Sequence, residues 1–283
     1  MKRAVIAAVC VLCAGMLFAA DRIKIVTSIV PLYNITKAIA GVRADISEMV
    51  PPGASPHTFS PKPSQMIALA GADVFIQAGA GMEFWADKLI QASGNKKLKV
   101  LKMTDGLKLI AGDEDEPSGN PHVWLDPVIV KSFCKKIYET LAKLSPENRD
   151  YFRGNFEKFS GVLDKLDSYI TGEVKKFKIK ELVSFHPAWV YFESRYGLKE
   201  IAVIEVVPGR EPTPKELMKI VAQVKKYGIK TIFAETTLPR KAADVIAQEA
   251  GAKVLLLDPE GGAGEDYITF MRRNFDVIKE AMK

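Results

Sequence analysis

One helical stripe in the middle of the chain constrains the fold more than any other feature. Apolar side chains recur there in steps of three or four residues, at Phe152, Phe156, Phe159, Leu163, Leu166, Ile170, Val174 and Phe177. Ser145 and Pro146 precede the stripe as a cap and a first-turn proline. We therefore predict one continuous helix over residues 145–177, about 50 Å long at about 1.5 Å per residue. A coiled-coil dimerisation helix is the alternative, although the aromatic stripe lacks regular flanking charge pairs.

Short β-rich runs alternate with helical runs on both sides of this helix. IKIVTSIV at 23–30 is typical of the first part, and AKVLLLD at 252–258 of the second. Such alternation predicts parallel sheets covered by helices on both faces. The predicted fold class is therefore α/β: an N-terminal lobe over 21–144 and a C-terminal lobe over 178–283, each with a parallel β-sheet flanked by helices, joined by the long rigid helix over 145–177.

The first twenty residues have the pattern of a secretory signal peptide. Lys2 and Arg3 precede 17 apolar residues, and this stretch ends in small residues just before Asp21. A membrane anchor is the alternative, for which that length lies at the lower limit. We expect residues 1–20 to be cleaved and the protein to be periplasmic or otherwise extracytoplasmic. The remaining chain keeps one cysteine, Cys134, so an intramolecular disulfide is impossible.

The charge distribution argues against a nucleic-acid partner. The chain has 40 Lys and Arg against 34 Asp and Glu, a formal net charge of +6. The basic residues are scattered in twos and threes, so no basic stripe of the kind that follows a phosphate backbone is present. We expect a monomer without nucleic acid.

The chain contains only three histidines, and their settings are alike. His57, His122 and His186 each lie in a loop and each adjoin a proline. A lone histidine is usually structural, but neighbouring prolines restrict the backbone and so reduce the entropy lost when a ligand is held in one geometry. Three neutral imidazoles and one carboxylate would complete a tetrahedral site for Zn²⁺.

Several carboxylates could supply the fourth ligand. Asp258 follows a predicted strand directly, as His186 does, and ligands of open α/β sheets collect at that edge. Asp126, like Asp258, is followed by a proline, but it begins a predicted helix, so a role as helix cap explains it. Glu205 and Glu235 are weaker candidates, either as ligands or as groups that orient a ligand.

Six segments together resemble a known family in order along nearly the whole chain after residue 20. They are SPHTFSPKPSQ, NPHVWLDP, FHPAWVYFESRYGL, EPTPKEL and LLLDPEGG followed by YITFMRRNF. The sequence is similar here to the zinc- and manganese-binding solute-binding proteins of ABC importers. The resemblance implies two lobes joined by a rigid helix, a metal ion between them, and a membrane permease as partner. It also implies four ligands: His57, His122, His186 and Asp258.

Two departures from the family pattern bear on the metal. Zinc-specific members often carry a His-rich loop before the second histidine, whereas this chain has only AGDEDEPSGN. Its acidic loop over 112–117 fits a solvated loop or a segment that delivers metal. Manganese-selective members tend to have Glu where His186 stands, and imidazole favours zinc over manganese. We therefore expect Zn²⁺ as the transported ligand, with Mn²⁺ or iron as the alternative.

Two other classes of function compete with this interpretation. A secreted zinc hydrolase needs an open coordination position and a nearby general base, but no HExxH motif occurs and the candidate ligands come singly from distant loops. A siderophore, haem or cobalamin receptor would leave the three histidines beside prolines unexplained. We therefore expect a binding protein and not an enzyme.

Overall fold

The computed structural model of the protein describes residues 22–111, 118–207 and 209–283. The signal peptide predicted over 1–20 and the acidic loop 112–117 lie outside the described residues. Within the described ranges, none of the helices has the length and apolarity needed to cross a membrane.

The first lobe is a four-stranded parallel sheet with helices on its faces. Its strands lie in the order β2-β1-β3-β4. In chain order its elements are β1 Ile23–Thr27, α1 Val30–Ala40, β2 Ala44–Glu48, α2 Pro63–Ala70, β3 Val74–Gln77, α3 Ala86–Ser93, β4 Lys99–Lys102 and α4 Pro127–Leu144. The carboxyl ends of its strands share one edge, so the loops that follow β1, β2 and β3 leave the sheet on the same side.

The long helix α5 spans Arg149–Val174. It is shorter at both ends than the predicted 145–177, because Pro146–Asn148 forms a separate 3-10 turn and the chain leaves the helix after Val174. The predicted apolar stripe faces inward: Phe152, Leu163, Leu166, Ile170 and Val174 are buried. α5 packs against α4 and α1 of the first lobe and against α9 of the second, which is how it joins the two lobes.

The second lobe repeats the strand–helix alternation. Its elements are β5 Glu181–Ser184, α6 Val190–Tyr196, β6 Lys199–Val203, α7 Pro214–Tyr227, β7 Thr231–Glu235, α8 Lys241–Ala250, β8 Lys253–Leu257 and α9 Tyr267–Met282. The strands form two parallel pairs, β5 with β6 and β7 with β8, and β5 lies beside β7. Thr213 and Glu216 form a reciprocal capping box that begins α7. The predicted α/β class with helix-linked lobes is confirmed.

The hydrophobic core is continuous from one lobe to the other. A single cluster of buried side chains includes Phe75 and Trp124 of the first lobe, Leu166 of α5, and Phe192 and Phe275 of the second lobe. A smaller cluster lies around β5 to β8, α7 and α8. Because separating the lobes would expose part of the shared cluster to water, the arrangement favours small relative movements over a wide hinge.

Candidate metal centre

The three histidines come together where the loops of the two lobes meet. Nε2 of His122 lies 3.3 Å from Nε2 of His57 and 3.2 Å from Nε2 of His186. One ligand atom of each histidine lies within 4.8 Å of the other two. Three nitrogens at this spacing can coordinate one ion such as Zn²⁺, which binds histidine nitrogen at about 2.0–2.1 Å.

Each histidine lies in or directly before a short 3-10 turn and adjoins a proline. His57 lies within the 3-10 turn Pro56–Thr58, in the loop that follows β2. His122 directly precedes the 3-10 turn Val123–Leu125, and His186 directly precedes the turn Pro187–Trp189, two residues after β5 ends. The prolines restrict the backbone conformations of these loops, as expected from the sequence.

Two of the imidazoles are oriented by hydrogen bonds at their far nitrogens. Nδ1 of His122 lies 3.0 Å from Oδ1 of Asn120, and Nδ1 of His186 lies 2.5 Å from Oε1 of Glu235. An Nδ1 that donates a hydrogen bond leaves the lone pair of a neutral imidazole on Nε2, which is the atom that faces the other histidines.

Burial keeps the imidazoles of His57 and His122 neutral. Burial lowers the pKa of His57 to about 3, with a further contribution from nearby His186. The pKa of His122 is lowered well below its usual value, first by burial and then by His186 and His57. Metal binding requires unprotonated imidazole, so these groups are in the binding form at neutral pH without having to release a proton.

Asp258, the carboxylate favoured by the sequence, is buried but already has several partners. Its Oδ1 accepts from the backbone N–H groups of Glu260 and Gly261 at 3.0 and 2.9 Å. Its Oδ2 accepts from Arg273 at 2.8 Å. In the described part of the chain, the group of ligand atoms that lie within 4.8 Å of one another contains the three histidines but not Asp258.

The other carboxylates named from the sequence have distinct roles. Asp126 caps α4 by accepting from the backbone N–H of Val128 at 2.8 Å. Glu205 accepts from the backbone N–H of Gly209 at 2.9 Å. Glu235 orients His186, which is the supporting role considered for it.

Glu260 is a buried carboxylate that the sequence analysis missed. It lies two residues beyond Asp258, in the turn that follows β8, and only 6% of its surface is exposed. Burial raises its pKa well above the usual value, and the charges of Asp258, Glu235 and Glu83 raise it further. The charges acting on Glu260 are thus those of other carboxylates, while the cation Arg273 pairs with Asp258 and Glu265. The sequence signal for Glu260 was the DPEGG turn that directly follows a predicted strand.

The fold and the site together have the arrangement of a two-lobed metal-binding protein. Two α/β lobes meet on one long helix, and three imidazoles from loops of both lobes converge where a single cation would fit. This arrangement suits binding of one borderline divalent ion better than binding of a large organic ligand.

Comparisons with known proteins agree with this class. The family described as zinc-uptake complex component A, periplasmic, matches residues 25–281. Zinc-binding protein AdcA of Streptococcus pyogenes is 31% identical over 94% of this chain and 57% of its own length. High-affinity zinc uptake system protein ZnuA of Bacillus subtilis is 28% identical over 93% of this chain and 88% of its own. The Zn(II)-bound ZnuA-like domain of Streptococcus pneumoniae AdcA has a TM-score of 0.80 at 30% identity, covering 92% of this chain and 99% of that domain.

The chain belongs to this zinc-uptake component family. The resemblance identified from the sequence is thereby confirmed. The chain spans somewhat more than half the length of the AdcA relative, and most of the length of the ZnuA relative.

Proposed function

We propose that the protein is the extracytoplasmic solute-binding component of an ABC importer, which captures Zn²⁺ between its lobes and delivers it to a membrane permease. The observation that carries the proposal is the convergence of Nε2 atoms from His57, His122 and His186. Burial holds the pKa of two of these imidazoles below its usual value, so they are ready to bind a cation. Membership of a zinc-uptake family supports zinc as the cargo.

The metal preference follows from the donor set. Imidazole nitrogen suits Zn²⁺, whereas Mn²⁺ prefers sites richer in carboxylate and water oxygen. The three nitrogens here leave room for one carboxylate, so we propose that Mn²⁺ binds in the same place but more weakly.

The fourth ligand would come from the turn after β8. Asp258 is the ligand expected from the sequence. Glu260 is a second candidate because its neighbours are carboxylates, and a bound cation would compensate their negative charge. Asp258 in contrast would have to give up or share its bond with Arg273. We propose that Glu260 approaches the ion and that Asp258 holds the turn in place.

The proposal also covers the location of the protein, its oligomeric state and its lack of catalysis. Export through a cleaved segment over residues 1–20 would place the receptor outside the cytoplasm, consistent with a family described as periplasmic. The protein would act as a monomer and would bind its ion without catalysing a reaction. Three donors plus a carboxylate would fill a tetrahedral zinc site, whereas a hydrolase needs one position open for water.

Metal analysis of the purified chain, followed by competitive titration with Zn²⁺ and Mn²⁺, tests the proposal. We expect one zinc ion per chain and a tighter site for Zn²⁺ than for Mn²⁺. His57→Ala removes one of the three donors from a half-buried loop position and should bind zinc more weakly than the wild type. Equal binding of zinc by the wild type and by this variant would refute the site.

A further inference from the structure

The side-chain amide of Asn120 lies between the loops that carry His122 and His186. It is buried, with 1% of its surface exposed. Its Oδ1 lies 3.0 Å from the backbone nitrogen of His122 and 3.0 Å from Nδ1 of the same residue. On its other side, Nδ2 donates to the carbonyl oxygen of Pro187 at 2.7 Å. One amide therefore contacts a loop from each lobe.

These contacts determine which way the amide faces. A backbone N–H can only donate, so the atom beside the nitrogen of His122 must be Oδ1. A carbonyl oxygen can only accept, so the atom beside Pro187 must be Nδ2. Since Oδ1 has no hydrogen, Nδ1 of His122 must carry the proton in the neutral ring, which leaves the lone pair on Nε2.

The same amide also fixes the position of the second histidine loop. Pro187 directly follows His186, so the bond to its carbonyl holds the backbone next to that ligand. The hydroxyl of Tyr191, on α6, donates to the backbone carbonyl of Asn120 at 2.7 Å. Residue 120 is thus attached to the second lobe through both its side chain and its backbone.

We propose that Asn120 is a positioning residue of the metal site: it selects the Nδ1–H tautomer of His122 and holds the loops of His122 and His186 in register, so that two ligands from different lobes are in place before the ion arrives. This inference rests on the proposed metal-binding function. It assigns to Asn120 no direct contact with the metal.

The experiment compares three variants by zinc titration and by ¹⁵N NMR of the imidazoles in the metal-free full chain. Asn120→Ala removes both side-chain bonds. Asn120→Asp keeps an acceptor for His122 but removes the donor to Pro187. Asn95→Ala is the matched control, because the Asn95 amide also donates to backbone carbonyls, those of Leu69 and Ala72, and accepts from a backbone N–H.

We expect Asn120→Ala to bind zinc about 10- to 100-fold more weakly, as is common when a group that orients a ligand is lost. In the same variant the ¹⁵N spectrum of His122 should show the Nε2–H tautomer, which the wild type lacks. Asn120→Asp should keep the Nδ1–H tautomer and bind zinc more tightly than Asn120→Ala. Asn95→Ala should retain both the wild-type affinity and the wild-type tautomer, even if its melting temperature falls.

Three results would separate the possible failures. If Asn120→Ala matched Asn95→Ala in affinity and tautomer, Asn120 would be merely structural and the inference would be overturned. If Asn120→Ala did not fold, loss of the Nδ1–H tautomer in Asn120→Asp would overturn it equally. If the wild type bound no zinc, the proposed function would fail, while the tautomer of the metal-free chain would still decide whether Asn120 orients His122.

Discussion

Glu235, the last residue of β7, accepts a hydrogen bond from Nδ1 of His186 at 2.5 Å inside the second lobe. Both side chains are almost fully buried, and Oε2 of Glu235 has no hydrogen-bond partner among the described residues. The carboxylate therefore orients the imidazole from behind and places a negative charge close to where a cation would bind.

The first prediction concerns this pair. Glu235→Ala should weaken zinc binding about 10- to 100-fold, because His186 loses the group that fixes its tautomer and ring orientation. Glu235→Gln keeps an acceptor and should bind zinc more tightly than the alanine variant. Isothermal titration of the three proteins measures the difference, and an unchanged affinity in Glu235→Ala would argue against a supporting role.

A second prediction separates the two acidic residues of the turn after β8. Glu260→Gln should weaken zinc binding while leaving the melting temperature of the metal-free chain unchanged or higher, because it removes a buried carboxylate that is repelled by its neighbours. Asp258→Asn should lower that melting temperature, because it weakens the bond to Arg273. Melting curves recorded with and without zinc show which of the two carboxylates binds the ion. The reverse pattern would restore Asp258 as the fourth ligand.

The third prediction is stabilisation by the ion itself. A ligand that binds only the folded chain adds about 4 kcal/mol to the free energy of unfolding at a thousandfold excess over Kd. The melting temperature should therefore rise with Zn²⁺ and return to its starting value with a chelator. His122→Ala should abolish the rise, and a persistent shift in that variant would indicate binding elsewhere.

How far the sequence could predict the site is clearest at the turn after β8. The histidines were identifiable because they are few and each adjoins a proline, and the strand–helix alternation was sufficient for the fold class. The sequence could not show that Arg273, on α9, pairs with Asp258, because that contact joins residues 15 positions apart in the chain. The contacts of Asn120 with Pro187 and of Glu235 with His186 join residues 67 and 49 positions apart in the chain, so no local pattern predicts them. The lobe boundaries at 144 and 178 and the four-ligand set stay predictions.

A fourth prediction follows from the lowered pKa of His57. The pKa in the unfolded chain is near 6.5, whereas the folded value is about 3. Below pH 6.5 the unfolded chain therefore binds the proton that the folded chain excludes, and the metal-free protein should lose stability as the pH falls from about 6.5 towards 3. One such histidine contributes at most about 1.4 kcal/mol per pH unit. His57→Asn should make the decline shallower in urea unfolding between pH 7 and 4.5, and an identical slope would contradict this account.

The last prediction concerns the amount of movement between the lobes. Trp124 of the first lobe donates from its indole Nε1 to the carbonyl of Pro259 at 2.8 Å, and Tyr267 of α9 donates its hydroxyl to the carbonyl of Trp124 at 2.7 Å. Both side chains belong to the core cluster that extends through α5 into both lobes. Opening the lobes widely would break these bonds and expose buried apolar surface, at about 25 cal/mol per Å². Release of the ion should therefore proceed through small tilts and loop movements.

X-ray scattering should give nearly the same radius of gyration for the metal-free and zinc-loaded chains. Trp124→Phe, which lacks the indole N–H, should lower the melting temperature of both forms. A marked expansion of the metal-free wild type would show instead that the shared core opens between the lobes.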